Sequence, residues 1–192
     1  MDVLLDLTDG VAWSVVYVMS IVLGIKHKTW CLPKIAICQN FAWEFWIVMS
    51  QILSGAAMRI GYAVQIAWLI LDIAILFIWL WFDRKAIGIN IFLVLLYMAV
   101  IFFLGYQEKQ WTNLAFAINA IMSALFLLRF YKKPGNWISP TIAIAKLTGT
   151  FAATILEWYF HSNIVALWLG GLCLIFDSYY CILVINDSSK GG

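Results

Sequence analysis

The chain has 192 residues, of which 65% are hydrophobic and only 11% charged, and its mean hydropathy is +0.94. A soluble domain carries roughly 25% charged residues, so an ordinary water-soluble fold is excluded. The net charge of +2 gives no basis for binding nucleic acid.

A bilayer core about 30 Å thick needs roughly 20 apolar residues per helix, and polar breaks divide this chain into seven such stretches. They are residues 7–25, 35–54, 60–82, 86–106, 112–131, 138–159 and 163–185. The first is the weakest, because Thr8, Asp9 and Gly10 shorten its apolar run. A signal peptide opens with positive charge, whereas this chain opens with Asp2, Asp6 and Asp9. The expected fold is an all-α membrane protein, a seven-transmembrane-helix bundle. One domain covers residues 1–187, and residues 188–192 form a flexible tail. No internal repeat is visible.

An odd number of spans puts the termini on opposite sides. The loops after spans 1, 3 and 5 and the tail hold Lys26, Lys28, Lys34, Arg84, Lys85, Arg129, Lys132, Lys133 and Lys190. The opposite side holds only Arg59 and Lys109. The positive-inside rule then places the N-terminus outside or lumenal and the C-terminus cytoplasmic. The run Asp83-Arg84-Lys85 reads as a basic loop at the end of span 3. Cys31, Cys38, Cys173 and Cys181 have no metal-ligand spacing and read as small buried hydrophobes.

Ionisable residues inside a membrane are costly and mark functional sites by default. Glu44 and Asp72 sit at the middles of spans 2 and 3, Asp177 just past the middle of span 7, and Lys146 just before the middle of span 6. At about 1.5 Å per residue, the four groups fall within a slab roughly 5 Å thick. One shared polar chamber is therefore expected. Helical spacing agrees: Asn40, Glu44 and Gln51 share a face, as do Gln65, Trp68 and Asp72, and Lys146, Thr150, Thr154 and Glu157. Tyr180 lies one turn beyond Asp177. Glu157 falls nearer the outer face, as a rim group. Burial and like-charge neighbours favour the neutral acid, so at least one of Glu44, Asp72 and Asp177 is expected to be protonated at neutral pH.

Eleven tryptophans are present. Trp30, Trp111 and Trp137 suit the interfacial belts. Trp43, Trp46, Trp68 and Trp158 lie near the acids in sequence, and aromatic faces stabilise cations. A buried acid with aromatic walls is the chemistry needed to start and steer a carbocation.

Asn40-Phe41-Ala42-Trp43-Glu44-Phe45 resembles the N-x-A-W-E-F signature of the small integral-membrane terpene cyclases. These are heptahelical enzymes of fungal meroterpenoid and indole-diterpene pathways, with bacterial relatives. Trp68-Leu69-Ile70-Leu71-Asp72 is similar to their W-x-x-x-D, Lys146-Leu147-Thr148-Gly149-Thr150 to their K-x-x-G-T, and Asp177-Ser178-Tyr179-Tyr180 to their D-x-x-Y. The order of the motifs matches along the whole chain, which is shorter than typical fungal members.

The resemblance implies cyclisation of a lipophilic prenylated aromatic or polyprenyl substrate, after protonation of a terminal epoxide or alkene. It implies Glu44 and Asp177 as the essential acids. Asp72 and Lys146 would tune them, and Asn40, Gln51 and Tyr180 would orient them. Trp43, Trp68 and Thr150 complete the expected pocket. No metal, cofactor or diphosphate site is expected, and neither D-D-x-x-D nor D-x-D-D occurs. The expected location is the endoplasmic reticulum membrane in a eukaryote or the cytoplasmic membrane in a bacterium.

Two other readings remain open. Buried acids with a lysine also build proton-coupled transporters, although the three prolines, Pro33, Pro134 and Pro140, lie in or near loops and leave the spans without the usual breaks. A retinal protein needs a lysine in the last span, and this one has none.

Overall fold

In a computed structural model, residues 2–55, 57, 60–108, 111–132 and 139–188 are described. Arg59, Lys109, Lys133, Lys190, Trp137, the start of the sixth expected span and nearly all of the expected tail lie outside them. The described residues form seven α-helices and no strand. These are α1 (Asp2–His27), α2 (Lys34–Leu53), α3 (Ile60–Phe82), α4 (Ile87–Glu108), α5 (Trp111–Lys132), α6 (Pro140–Tyr159) and α7 (Ile164–Ser188), with a short 3-10 turn, Arg84–Ala86, before α4. An all-helical chain satisfies its backbone within each segment, as lipid requires.

Among the described residues, five helices are long and apolar enough to cross a membrane by length and composition: α1, α3, α4, α5 and α7. The segment Arg84–Gly105 has a mean hydropathy of 2.7. Its Ile89, Phe92, Leu95, Leu96 and Phe103 are all exposed. On α3, Ile70, Ile73, Phe77 and Trp81 are exposed too, while Asp72 is buried, as is Asn90 on α4. Polar groups inside and large hydrophobes outside suit a protein whose solvent is lipid. This is an integral membrane protein by that inversion. The helices α2 and α6 are less apolar. They carry Glu44 and Lys146 together with the polar stripes.

The first helix is not shortened by Thr8-Asp9-Gly10; it runs unbroken from Asp2. Several of its polar side chains bond within the helix. Thr8 Oγ1 donates to the Leu4 carbonyl at 2.7 Å, Ser14 Oγ to the Gly10 carbonyl at 2.7 Å, and the Trp13 indole to Asp9. Pro33 precedes α2 and Pro140 opens α6, where a missing N–H leaves no bond unmade. Asn163 caps α7, its side-chain oxygen accepting from the Ala166 N–H at 3.1 Å.

The chain separates into two compact units. The first holds Met1–Met19 and Phe116–Gly192, thus most of α1 and α5 with all of α6 and α7. Within it α6 packs along α7. The approach is close enough that a Cβ on Gly170 would run into Thr154. The second unit is Ser20–Ala115, in which α2 packs against both α3 and α4.

A candidate active site of buried carboxyl groups

In the second unit, the polar stripes of α2 and α3 meet. Asn40 Nδ2 donates to Asp72 Oδ2 at 2.8 Å, and Gln51 Nε2 donates to Gln65 Oε1 at 2.5 Å. The two bonds act as rungs between antiparallel helices, so the register of the stripes is fixed at both ends. Glu44 lies between the rungs, one turn after Asn40 on the same helix. It and Asp72 are each only 1% exposed. Trp68 lies one turn before Asp72 on α3 and is half-buried.

Two tryptophans of this unit are tethered through their indole N–H groups. Trp43 Nε1 donates to the Trp111 carbonyl at 3.1 Å, and Trp46 Nε1 to the Met98 carbonyl at 2.8 Å. The Trp46 ring also lies against Phe102, with centroids 4.5 Å apart. A buried indole N–H needs an acceptor, and these carbonyls hold the rings in place. Trp158, by contrast, is 48% exposed.

In the first unit, Lys146 and Asp177 form an ion pair that is entirely buried. Lys146 Nζ lies 2.7 Å from both carboxylate oxygens. It also donates to Ser123 Oγ at 2.6 Å and to Asn119 Oδ1 at 3.0 Å. Thr150 Oγ1 donates to Asp177 Oδ2 at 3.0 Å, and Asn119 Nδ2 donates to Thr150 Oγ1 at 3.1 Å. Thr154 Oγ1 turns away to its own helix, donating to the Thr150 carbonyl. The stripe expected along α6 thus splits by depth. Lys146 and Thr150 hold Asp177, while Glu157 pairs with the exposed His161 at 3.0 Å.

Aromatic rings wall this ion pair. Lys146 Nζ lies 5.5 Å from the centroid of Trp13 and 5.8 Å from that of Phe126. Tyr180 packs edge-on against Phe126, at 5.2 Å, and against Phe130. The glycine of Lys146-Leu147-Thr148-Gly149-Thr150 gives Trp13 its place. A Cβ on Gly149 would stand 2.9 Å from the Trp13 ring and 3.3 Å from Ala12.

Four members of this cluster escape the sequence reading: the rings of Trp13 and Phe126, and the polar residues Asn119 and Ser123. The signal for the last two is present. They are polar residues four apart on one face of α5, and no charge falls between Trp111 and Phe126 to explain them. Trp13 carries no such signal, since one tryptophan among eleven is marked only by what it packs on.

At the end of α3, Asp83 gathers Lys34, Asn90 and Trp79. Asn90 Nδ2 donates to Asp83 Oδ2 at 2.8 Å, Trp79 Nε1 to the same oxygen at 3.3 Å, and Lys34 Nζ pairs with it. Burial pushes the Asp83 carboxyl up, but the Lys34 and Asn90 hydrogen bonds, the Lys34 charge and the Trp79 bond outweigh it, so the group sits below its ordinary value. Asp83 therefore knits the ends of α2, α3 and α4. The neighbouring Arg84 stacks on Trp81 at 3.6 Å. Among the described residues, no group of three or more His, Cys, Asp or Glu side chains is placed to hold a metal ion.

No family model matches the chain. No solved structure matches it either. Among curated proteins, it is 23% identical to the terpene cyclase esdpB of Penicillium shearii over 91% of this chain and 80% of that protein. It is 29% identical to the Pyr4-family terpene cyclase mfmH of Annulohypoxylon moriforme, over 42% of this chain and 32% of that one. The resemblance to membrane terpene cyclases is thus borne out as a likeness between whole sequences: the chain is similar to fungal proteins named terpene cyclases, one of them of the Pyr4 family.

Proposed function

We propose that the chain is a membrane-embedded terpene cyclase that closes rings by acid initiation. The observation that carries this reading is the burial of Glu44 and Asp177, each 1% exposed, at motif positions in a chain similar to esdpB over nearly its full length. The substrate is a prenylated aromatic or another polyprenyl compound, reached from the bilayer. Protonation of a terminal epoxide oxygen or alkene starts the reaction. Internal alkenes then add in turn, and loss of a proton ends it, so the product has the mass of the substrate.

Glu44 and Asp177 carry the proton chemistry, and no metal ion is required. General acid catalysis contributes about 10²–10⁴-fold. Folding of the prenyl chain and exclusion of water supply the remainder. Asn40 and Asp72, Thr150 and Lys146 hold the polar groups in place.

The test is to express the chain in membranes, supply prenylated aromatics and their epoxides, and look for isomers of unchanged mass. Glu44→Gln should abolish them without loss of protein from the membrane. If the wild type leaves every such substrate untouched, the reading fails. The ion pair of Lys146 and Asp177 also suits a proton-coupled transporter. Proton-driven flux in liposomes, without any isomerisation, would establish that alternative.

A further inference from the structure

In the second unit, the exposed face of α3 leads to a cation that has a seat on the protein and no carboxylate partner. Ile70, Ile73, Phe77 and Trp81 follow one another at spacings that put them on one face of the helix, and all four are exposed. The rings of Phe77 and Trp81 stack with centroids 5.7 Å apart, and the Arg84 guanidinium lies 3.6 Å over Trp81. Cation, indole, phenyl ring and two isoleucines therefore form a continuous stripe. From Ile70 to Trp81 it measures about 16 Å, at about 1.5 Å per residue. One leaflet is half of a bilayer core about 30 Å thick, or about 15 Å. The stripe is as long as one leaflet is deep, and it carries its charge at one end.

The same end of the unit collects further positive charge. Gly24 sets the last turns of α1 against α3, since a Cβ there would stand 3.1 Å from the Ile78 side chain. Lys34, which opens α2, pairs with Asp83, just past the end of α3. Lys26, Lys28, Lys34, Arg84 and Lys85 thus share one end of this unit. Asp83 is the only acidic residue among residues 20–35 and 78–92, and Lys34 is already paired with it. Lys26, Lys28, Arg84 and Lys85 are exposed, and among the described residues no ion pair holds them. Lys34 also lies 4.9 Å from the centroid of Trp30. Tryptophan rings rest at the level of lipid headgroups, so the two cation–indole pairs mark the depth of this end.

We propose that this end of the second unit binds an anionic phospholipid, with the headgroup phosphate on Arg84 and the lysines of α1 and an acyl chain along the α3 stripe. The face of the guanidinium is taken by Trp81, but its N–H donors point outward in its plane, where a phosphate can accept two of them at once. The headgroup supplies the negative charge that the chain itself lacks there, and the stripe supplies the apolar surface that a soluble anion could not use. Negative lipid is concentrated in the cytoplasmic leaflet, which is the side that the positive-inside rule gives to these loops. The site is separate from the buried carboxyl groups and does not depend on the proposed reaction.

The test uses the full chain in detergent, supplied with equal amounts of phosphatidylserine and phosphatidylcholine that carry the same acyl chains. Native mass spectrometry reads which lipid stays bound. Phosphatidylserine should be retained in preference, and Arg84→Gln should cut that preference about fivefold, the worth of one basic residue near an anionic surface. Trp81→Leu keeps every charge but removes the seat of Arg84, and it should cut the preference as well. A diffuse positive field would be indifferent to Trp81→Leu, so an unchanged preference in that variant overturns the site. Equal retention of the two lipids by the wild type overturns it too. If Arg84→Gln yields no folded protein, Lys26→Gln/Lys28→Gln takes its place, with a larger loss expected and an unchanged preference again decisive against the proposal. Inorganic phosphate should leave the bound phosphatidylserine in place, because it brings nothing to the stripe. Displacement by phosphate alone would assign the cations to a soluble anion and overturn the lipid site.

Discussion

Lys146 on α6 and Asp177 on α7 meet with Nζ 2.7 Å from each carboxylate oxygen, and neither side chain reaches the surface. The two helices pack along their length, so the ion pair is both a chemical feature and a seam of the fold. Removing one partner strands the other. Lys146→Met should destabilise the folded chain by about 3–5 kcal/mol, and Lys146→Met/Asp177→Asn should recover most of that. Chemical unfolding in detergent, followed by far-ultraviolet circular dichroism, would measure both.

Gly149 is predicted to be intolerant of even a methyl group. Its Cβ would stand 2.9 Å from the Trp13 ring, and overpacking of this kind costs about 1–3 kcal/mol. Gly149→Ala should lower the unfolding midpoint, and Trp13→Leu in the same chain should relieve much of the loss. A double-mutant cycle reads the coupling directly.

The rung between α2 and α3 makes a third prediction. Asn40→Leu leaves Asp72 Oδ2 buried without the donor now 2.8 Å away. The loss should be about 1–3 kcal/mol. Replacing both residues, as Asn40→Leu/Asp72→Leu, should cost less than Asn40→Leu alone, because the Asp72 carboxyl is then removed rather than orphaned. The comparison is again made by unfolding in detergent.

Asp83 gives the pH dependence. Burial acts to raise its carboxyl, but Lys34, Asn90 and Trp79 together hold it below the ordinary value. A group depressed on folding adds stability that is fully present above its unfolded value, about 3.9, and that fades as the pH falls through its lower folded value. The stability difference between wild type and Asp83→Asn should therefore be constant near neutral pH and shrink only below about pH 4. Unfolding midpoints across that range provide the measurement, and a difference that grows on acidification would contradict the sign.

Much of this arrangement is legible in the sequence because lipid enforces it. Apolar runs of spanning length are hard to mistake, and all seven expected spans correspond to helices, with ends displaced by a few residues. The exception is informative. Thr8, Asp9 and Gly10 read as a weak start, yet the helix continues because Thr8 and Asp9 find partners one turn away along α1. The stripes of α2 and α3 are also legible, since a period of 3.6 puts Asn40 and Gln51, or Gln65 and Asp72, on one face. Which residue faces which across two helices is not. Lys146 reads as one member of a slab of charges, and only the packing of α6 on α7 commits it to Asp177. Asn119 and Ser123 are quieter still. Neutral groups raise no alarm in an apolar span, and their part emerges only once the lysine has to be satisfied.

The low hydropathy of α2 and α6 bears on how the chain is made. A central charge adds about 2.5–3.5 kcal/mol to the cost of inserting a helix, and these two helices carry Glu44 and Lys146. Each has a much greasier successor, α3 or α7, packed directly against it. The natural unit of biogenesis is then the hairpin: α2 enters lipid with α3, and α6 with α7. A nascent chain stopped at Tyr159 would hold a helix with a lysine and no counter-ion, and α6 would stay on the wrong side of the bilayer until Asp177 leaves the ribosome.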